Sequence, residues 1–183
     1  MPDIRKIDPL LAIAKTLLGL LIAAFAIAAV ALLLGAIAAP FFEGQIIVQL
    51  GEAGKGEMAG KFTPLLSLLL VMVAVLVALM GYFMLLLWRI IDTVGHGDPF
   101  VPENARRLNL MGWISLATYA GGIGLGIVSD WIEGFAGNSG DSLKFTAEID
   151  ISGSGLVLSL VLFILARVFR HGAAMREELE GTV

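Results

Sequence analysis

Cysteine is absent from this chain of 183 residues, and charged residues make up only 15% of it. Without cysteine there can be no disulfide, no thiolate metal ligand and no cysteine nucleophile. Soluble domains carry roughly 25% charged residues, so the low charge content argues against an ordinary soluble domain. The only two histidines are His96 and His171, and neither has a second ligand at metal-binding spacing. We therefore expect no metal or other cofactor; a zinc site built from both histidines and Asp98 is the weaker alternative.

Long apolar runs take the place of a soluble core. A helix of about 20 apolar residues crosses the hydrocarbon of a bilayer, and four runs approach or exceed that length. The sequence therefore predicts an all-α membrane protein, an antiparallel bundle of four transmembrane helices in one membrane domain, 1–183. The predicted spans are 16–39, 64–88, 110–128 and 153–169.

Local signals predict where the first two helices begin. Asp8 and Pro9 are suited to the N-cap and first turn of the first helix, and Thr63 and Pro64 to those of the second. A cleaved signal peptide is the alternative for the first run, but the apolar part of a signal peptide is about 7–15 residues long. The run is longer, so we favour a retained membrane helix.

The basic residues are distributed unequally between the two ends of the predicted spans. The positive-inside rule places the more basic side in the cytoplasm, so we predict that both termini, the loop 89–109 and the tail 170–183 are cytoplasmic. The outer loops, 40–63 and 130–152, carry only Lys55, Lys61 and Lys144. The other nine basic residues, which include every arginine, are Arg5, Lys6, Lys15, Arg89, Arg106, Arg107, Arg167, Arg170 and Arg176.

Two segments of the outer loops have the composition of strands. Residues 45–50 are rich in β-prone residues, and residues 143–151 alternate apolar and polar side chains, which is typical of a half-buried strand. We expect the two segments to pair as a small antiparallel sheet that caps the outer face. A loop without regular structure is the alternative.

The third span contains polar and small residues. Gly122 and Gly126 are spaced four apart, which lets helix backbones approach closely in lipid. Thr118 and Tyr119 are the best candidates for polar contacts inside the bundle. These residues indicate helix packing, with a narrow pocket as the alternative; a phosphate-binding glycine loop lacks its required spacing.

The loop after the second span contains the most distinctive segment, 96–108. Gly97-Asp98-Pro99 should stop the second helix. Pro102 and Glu103 suit the first turn of the next helix. Phe100 should pack back on the bundle, which leaves Arg106 and Arg107 to face phosphates or partners.

At this segment and at its C-terminal end, the chain resembles a bacterial family of four-span membrane proteins, of the type called domain of unknown function 2975. The resemblance implies a bacterial inner-membrane location and a regulatory role, because such proteins often accompany small helix-turn-helix regulators. It supplies no catalytic residues. The family usually has Ser or Thr where this chain has Val101, so the helix cap falls to Asp98 or to backbone and water. The residues that carry it are Gly97-Asp98-Pro99-Phe100, Glu103-Asn104, Leu108, Val168-Phe169-Arg170-His171-Gly172, Met175, Glu177-Glu178 and Thr182-Val183.

These observations favour a regulatory or partner-binding membrane protein, not an enzyme, that acts through its cytoplasmic turn and tail. The tail could continue the fourth helix into the cytoplasm and dock beside the turn, or it could be a solvated charged segment. Besides the lipid bilayer, we expect a cytosolic or membrane protein partner, such as a helix-turn-helix regulator, no direct contact with nucleic acid, and possible homo-oligomers. The alternative function is a small transporter, channel or lipid- or small-molecule-binding protein. The expected partner-binding residues are Asp98, Phe100, Glu103, Asn104, Arg106, Arg107 and Arg176.

Overall fold

Four long helices form the structure, a computed structural model that describes residues 9–44, 59–95, 99–136 and 153–180. Each helix is long and apolar enough to cross a membrane. The four predicted spans correspond one to one with these helices, which confirms an all-α, multi-pass membrane protein. The helices are α1 (Pro9–Ala38, followed by a short 3-10 helix, Ala39–Phe42), α2 (Ala59–Gly95), α3 (Pro102–Ala136) and α4 (Ser154–Glu180).

The described residues contain no strand. Segments 45–50 and 143–151, which we expect to pair as an outer sheet, lie outside the described residues. The outer cap therefore stays a prediction.

The predicted helix start is wrong for α2, and Asp8, the predicted N-cap of α1, lies outside the described residues. α1 begins at Pro9, whereas α2 begins at Ala59 and carries Pro64 inside the helix. Proline removes one backbone hydrogen bond, and the loss is small so near the start, where the first turn has unpaired N–H groups in any case. The buried hydroxyl of Thr63 has no hydrogen-bond partner among the described residues, so Thr63 does not cap α2.

Neighbouring helices along the chain are packed side by side and run antiparallel. Leu11, near the start of α1, lies against Gly95 at the end of α2, while Gly35, near the end of α1, lies against Leu70. α2 packs in turn along α3, and α3 along α4. The described part of α1 makes no extensive contact with α3 or α4.

The core of the bundle is formed by α2, α3 and α4. α1 contributes nothing to this cluster, and most of its apolar side chains are exposed, as expected for a helix in contact with lipid. The bundle is therefore a three-helix core with a fourth helix attached along α2. The buried core residues are Leu86, Ile90, Leu108, Met111, Ile114, Leu162 and Ala166.

Glycines allow the core helices to approach closely. A Cβ atom at Gly112 would lie 2.7 Å from the ring of Phe163, and one at Gly155 would lie 3.0 Å from the ring of Tyr119. Because Gly155 lies against Tyr119, α4 begins opposite the middle of α3. Gly153, just before α4, has a φ of +74°, a left-handed conformation that favours glycine.

We predict that Gly112→Ala destabilises the bundle, because the added methyl group meets the rigid ring of Phe163. Overpacking of this kind costs about 1–3 kcal/mol. Gly126→Ala is the matched control: no described atom lies within 4 Å of its Cβ position, and alanine favours a helix by about 1 kcal/mol over glycine. Unfolding in mixed detergent micelles measures both, and equal stability of the two variants would contradict the packing.

Candidate functional site

One end of the bundle concentrates the basic side chains. We call it the arginine end; it comprises the start of α1, the end of α2, the turn before α3, the start of α3 and the end of α4. The side chains of Lys15 and Arg107 are half-buried there. The other basic side chains described at this end are exposed: Arg89, Arg106, Arg167, Arg170 and Arg176.

A single buried amide joins three parts of the arginine end. Asn104 is 0% exposed. Its Nδ2 donates to the Thr93 hydroxyl on α2 at 2.7 Å and to the carbonyl of Pro99 in the turn at 3.0 Å. Its Oδ1 accepts a hydrogen bond from Nη1 of Arg107 at 2.9 Å. A buried amide with its polar atoms satisfied in this way favours one arrangement of the surrounding backbone.

Arg107 and Thr93 extend this network to the end of α2. Nη1 of Arg107 also donates to the carbonyl of Arg89 at 3.2 Å, and the Thr93 hydroxyl donates to the carbonyl of Ile90 at 2.7 Å. The Arg89 carbonyl lies six residues before the end of α2, and its second lone pair can accept this bond besides the one within the helix. We call Thr93, Asn104 and Arg107 the asparagine network.

The start of α3 agrees with its sequence signals. Pro102 is the first residue of α3, and Glu103 lies in its first turn, where a carboxylate faces the positive end of the helix dipole. The N–H of Asn104 donates to the carbonyl of Val101 at 3.0 Å. A backbone hydrogen bond thus stabilises the start of α3, where the side chain of Val101 cannot act as a helix cap.

The turn is also packed against α4 through Phe100. The rings of Phe100 and Phe169 are 5.3 Å apart between centroids and inclined at 43°. A Cβ atom at Gly172 would lie only 2.7 Å from the Phe100 ring, so the absence of a side chain there provides the space. The prediction that Phe100 packs back on the bundle is confirmed, and the helix it contacts is α4.

An ion pair attaches α1 at the same end. Nζ of Lys15 bonds a carboxylate oxygen of Asp92 on α2 and lies 6.0 Å from the ring centroid of Trp88. Both charged side chains are about one-third exposed, and such pairs contribute under about 1 kcal/mol. The ion pair therefore helps to set the orientation of α1 on α2, but it contributes little to the free energy that holds the two helices together.

A groove with a volume of about 1080 Å³ runs between the start of α3 and the end of α4. Phe100, Phe163 and Met175 are among its apolar lining residues, and Asn109 lines it from α3. Its basic lining residues are Arg167, Arg170 and His171. These three side chains are exposed, so the groove is open on one side, and none of the described residues that line it is a carboxylate.

Comparison with known proteins adds one result. The profile of DUF2975, described as "Protein of unknown function (DUF2975)", matches residues 47–183. The chain belongs to the DUF2975 family. The match includes α2, α3 and α4, which form the core of this DUF2975 protein, while α1 lies before it. No curated protein and no solved structure is significantly similar to the chain.

The expected partner-binding residues of this DUF2975 protein divide into two groups. Asn104 and Arg107 belong to the asparagine network, so their side chains hold the turn and the buried Asn104 is not offered to a partner. The exposed residues are Phe100, Glu103, Arg106 and Arg176. Asp98 and His96 lie outside the described residues.

Sequence reasoning missed Thr93 and the groove. Nothing in the sequence marks Thr93, because its role depends on which residue of α3 lies opposite it. The groove had a signal: Phe163, Arg167, Arg170 and Ala174 are spaced three or four apart, which places them on one face of a helix.

The polar contacts inside the bundle come from other residues than expected. Thr118 and Tyr119 are half-buried, but no hydrogen bond of their hydroxyls is found among the described residues. Instead, the Ser115 hydroxyl donates across the helix interface to the carbonyl of Gly155 at 3.2 Å. The Ser159 hydroxyl donates to the same carbonyl at 2.8 Å.

Neighbouring side chains fill much of the space beside the small residues of α3. Leu76 of α2 lies against Gly121, and Met72 lies against Gly124. Gly122 is buried, whereas the Cβ position of Gly126 has no described neighbour within 4 Å. The contacts at Gly121 and Gly124 therefore support a role in helix–helix packing, and no contact there supports a pocket.

We predict that Asn104→Ala lowers the free energy of unfolding by about 1–3 kcal/mol, because it leaves Arg107 and the Pro99 carbonyl without their partner. Asn109→Ala is the matched control. Asn109 lies on the same helix, and its side chain makes no hydrogen bond to a described residue, so its loss should cost less than about 0.5 kcal/mol. Unfolding in mixed micelles measures both; equal losses would contradict the network.

Proposed function

We propose that this protein holds or regulates a protein partner at the membrane surface through its arginine end. The observation that carries the proposal is the continuation of α4 as one helix to Glu180, well past Arg167. Side chains 174–178 are exposed along this extension. An ordered helix that projects from a membrane bundle offers a docking surface, and an amphipathic partner helix can lie along it.

The attachment of the turn to α4 supports this proposal. Phe100 contacts Phe169 and Gly172, and the asparagine network fixes the turn that carries Phe100. The exposed Glu103 and Arg106 and the exposed Met175 and Arg176 then belong to surfaces with defined positions. A partner gains affinity from a surface that is ordered before binding, because less conformational entropy is lost.

The chemistry of the extension indicates what kind of partner fits. Met175 is 50% exposed and adaptable, and it is followed by Arg176, Glu177 and Glu178. Such a mixture suits a protein surface better than nucleic acid, whose binding requires net positive charge. A cytosolic or membrane protein, such as a small helix-turn-helix regulator, is the candidate partner, and binding rather than catalysis is the proposed activity.

Transport is the less supported alternative. Glycines in α3 could leave a path for a solute between the helices. However, Leu76 and Met72 occupy the space beside Gly121 and Gly124. The ion pair Lys15–Asp92 lies near the arginine end. Intramembrane charges are a usual feature of ion-coupled transporters, and this pair is partly exposed at an end.

The partner proposal requires the arginine end to face the cytoplasm of a bacterial inner membrane, with both termini on that side. The excess of lysine and arginine at this end supports that orientation. The proposed outer sheet of segments 45–50 and 143–151 would then lie on the opposite side, and lack of hydrogen-exchange protection at 143–151 would count against it.

We predict the orientation from labelling, for which a chain without cysteine is well suited. Gly44→Cys and Glu103→Cys place single thiols at exposed positions on opposite ends. A membrane-impermeant maleimide should label position 44 in intact cells and position 103 only after permeabilisation. Labelling of position 103 in intact cells would reverse the proposed orientation.

We predict that a photo-crosslinking residue at Met175 captures a discrete protein in living cells. The same residue at Leu20, which is 66% exposed on α1 and faces lipid, is the control and should capture none. Arg106→Ala should lower the yield at Met175, whereas Arg89→Ala, another exposed arginine at this end, should not. Mass spectrometry identifies the crosslinked protein.

Two results of that experiment would contradict the partner proposal. One is the same crosslinking pattern from Met175 and from Leu20, which would indicate random collisions. The other is a crosslinking yield at Met175 that is equally low with and without Arg106→Ala or Arg89→Ala, although the full-length protein is present at normal levels in the membrane.

A further inference from the structure

We propose that the groove between α3 and α4 is a binding site for the phosphate headgroup of an anionic phospholipid. The bound lipid would lie with its headgroup against Arg167, Arg170 and His171 and one acyl chain against Phe163. This proposal does not depend on a protein partner.

The level of the groove in the bundle fits the boundary between hydrocarbon and headgroups. Arg107 bonds the carbonyl of Arg89, so the two residues lie at one level, directly beside Trp88. Asn109, two residues after Arg107, lines the groove together with Arg167. A tryptophan and several arginines at one level are typical of the membrane interface, and Arg167 is in the last apolar turn of α4.

The lining of the groove changes along α4 in the order that a lipid requires. Phe163 and Ala166 come first and are apolar, Arg167, Arg170 and His171 follow about one turn later, and Ala174 and Met175 lie beyond. Towards the middle of the membrane the wall continues with Trp113, whose ring meets that of Phe163 edge to face at 5.5 Å. The acyl chain of a bound lipid would therefore contact apolar side chains at the depth of the hydrocarbon.

The charge of the groove selects among lipids. Among the described residues, two arginines and one histidine line it and no carboxylate does. Arginine binds phosphate oxygens through paired N–H donors, and Asn109 offers a neutral donor. A zwitterionic headgroup carries a cation that this lining would repel, so the geometry points to a headgroup with a net negative charge, such as phosphatidylglycerol.

The side chains of Arg167 and Arg170 are free to reach a phosphate. Both are exposed, and no hydrogen bond or ion pair to a described residue holds either of them, in contrast to Arg107. Basic pockets between transmembrane helices on the cytoplasmic side bind lipid headgroups elsewhere, and each arginine near such a surface contributes about fivefold in affinity.

Native mass spectrometry of the full chain tests the proposal. The protein is purified in neutral detergent and exposed to equal amounts of phosphatidylglycerol and phosphatidylcholine. We expect preferential retention of phosphatidylglycerol. Arg170→Gln should lower that preference roughly fivefold, and Arg167→Gln with Arg170→Gln should lower it further.

Arg89→Gln is the matched control, because Arg89 is exposed at the same level on α2 and does not line the groove. It should leave the preference unchanged. Equal retention of the two lipids, or the same loss with Arg89→Gln as with Arg170→Gln, would overturn the proposal, since general attraction between arginines and anionic lipids would then suffice.

Two further outcomes would show that the groove binds something other than a lipid: a soluble phosphate compound or a protein. Complete displacement of phosphatidylglycerol by an equal concentration of glycerol phosphate would mean that the site binds soluble phosphate, which contradicts a lipid site. Exclusion of phosphatidylglycerol by a crosslinked partner or a second copy would assign the groove to protein. Crosslinking at Met175 is measured separately, so the failure of one proposal leaves the other standing.

Discussion

The arginine end depends on the hydrogen bonds of one buried side chain. Asn104 joins the end of α2, the turn and the start of α3, and in a low-dielectric region an unsatisfied amide is costly. The turn therefore has one favoured position, and that position brings Phe100 onto α4. The position of Phe100 in turn shapes the groove, which Phe100 lines.

The bundle is organised from α2 outwards. One side of α2 contributes Leu86 and Ile90 to the core with α3 and α4, and the other carries α1, with Asp92 paired to Lys15. The DUF2975 match includes the three core helices and begins after α1. Since α1 is mostly exposed, its apolar surface is suited to contact with lipid.

Composition and hydropathy predict most of the fold because the bilayer restricts the backbone to helices whose hydrogen bonds are internal. The four helices and the start of α3 at Pro102 were readable from the sequence. The start of α2 was not, because Pro64 and Thr63 look like a beginning although the helix begins at Ala59. Pairwise details, such as Thr93 opposite Asn104 and Leu76 opposite Gly121, depend on helix register, which hydropathy does not encode.

The asparagine network fixes the turn and the start of α3 relative to α4. Spin labels at Glu103 and Glu177, exposed residues on α3 and α4, test it by double electron–electron resonance in lipid nanodiscs. We expect one narrow distribution of distances between the two labels, which broadens with Asn104→Ala. A broad distribution in the unaltered network, or a narrow one that Asn104→Ala leaves unchanged, would contradict it.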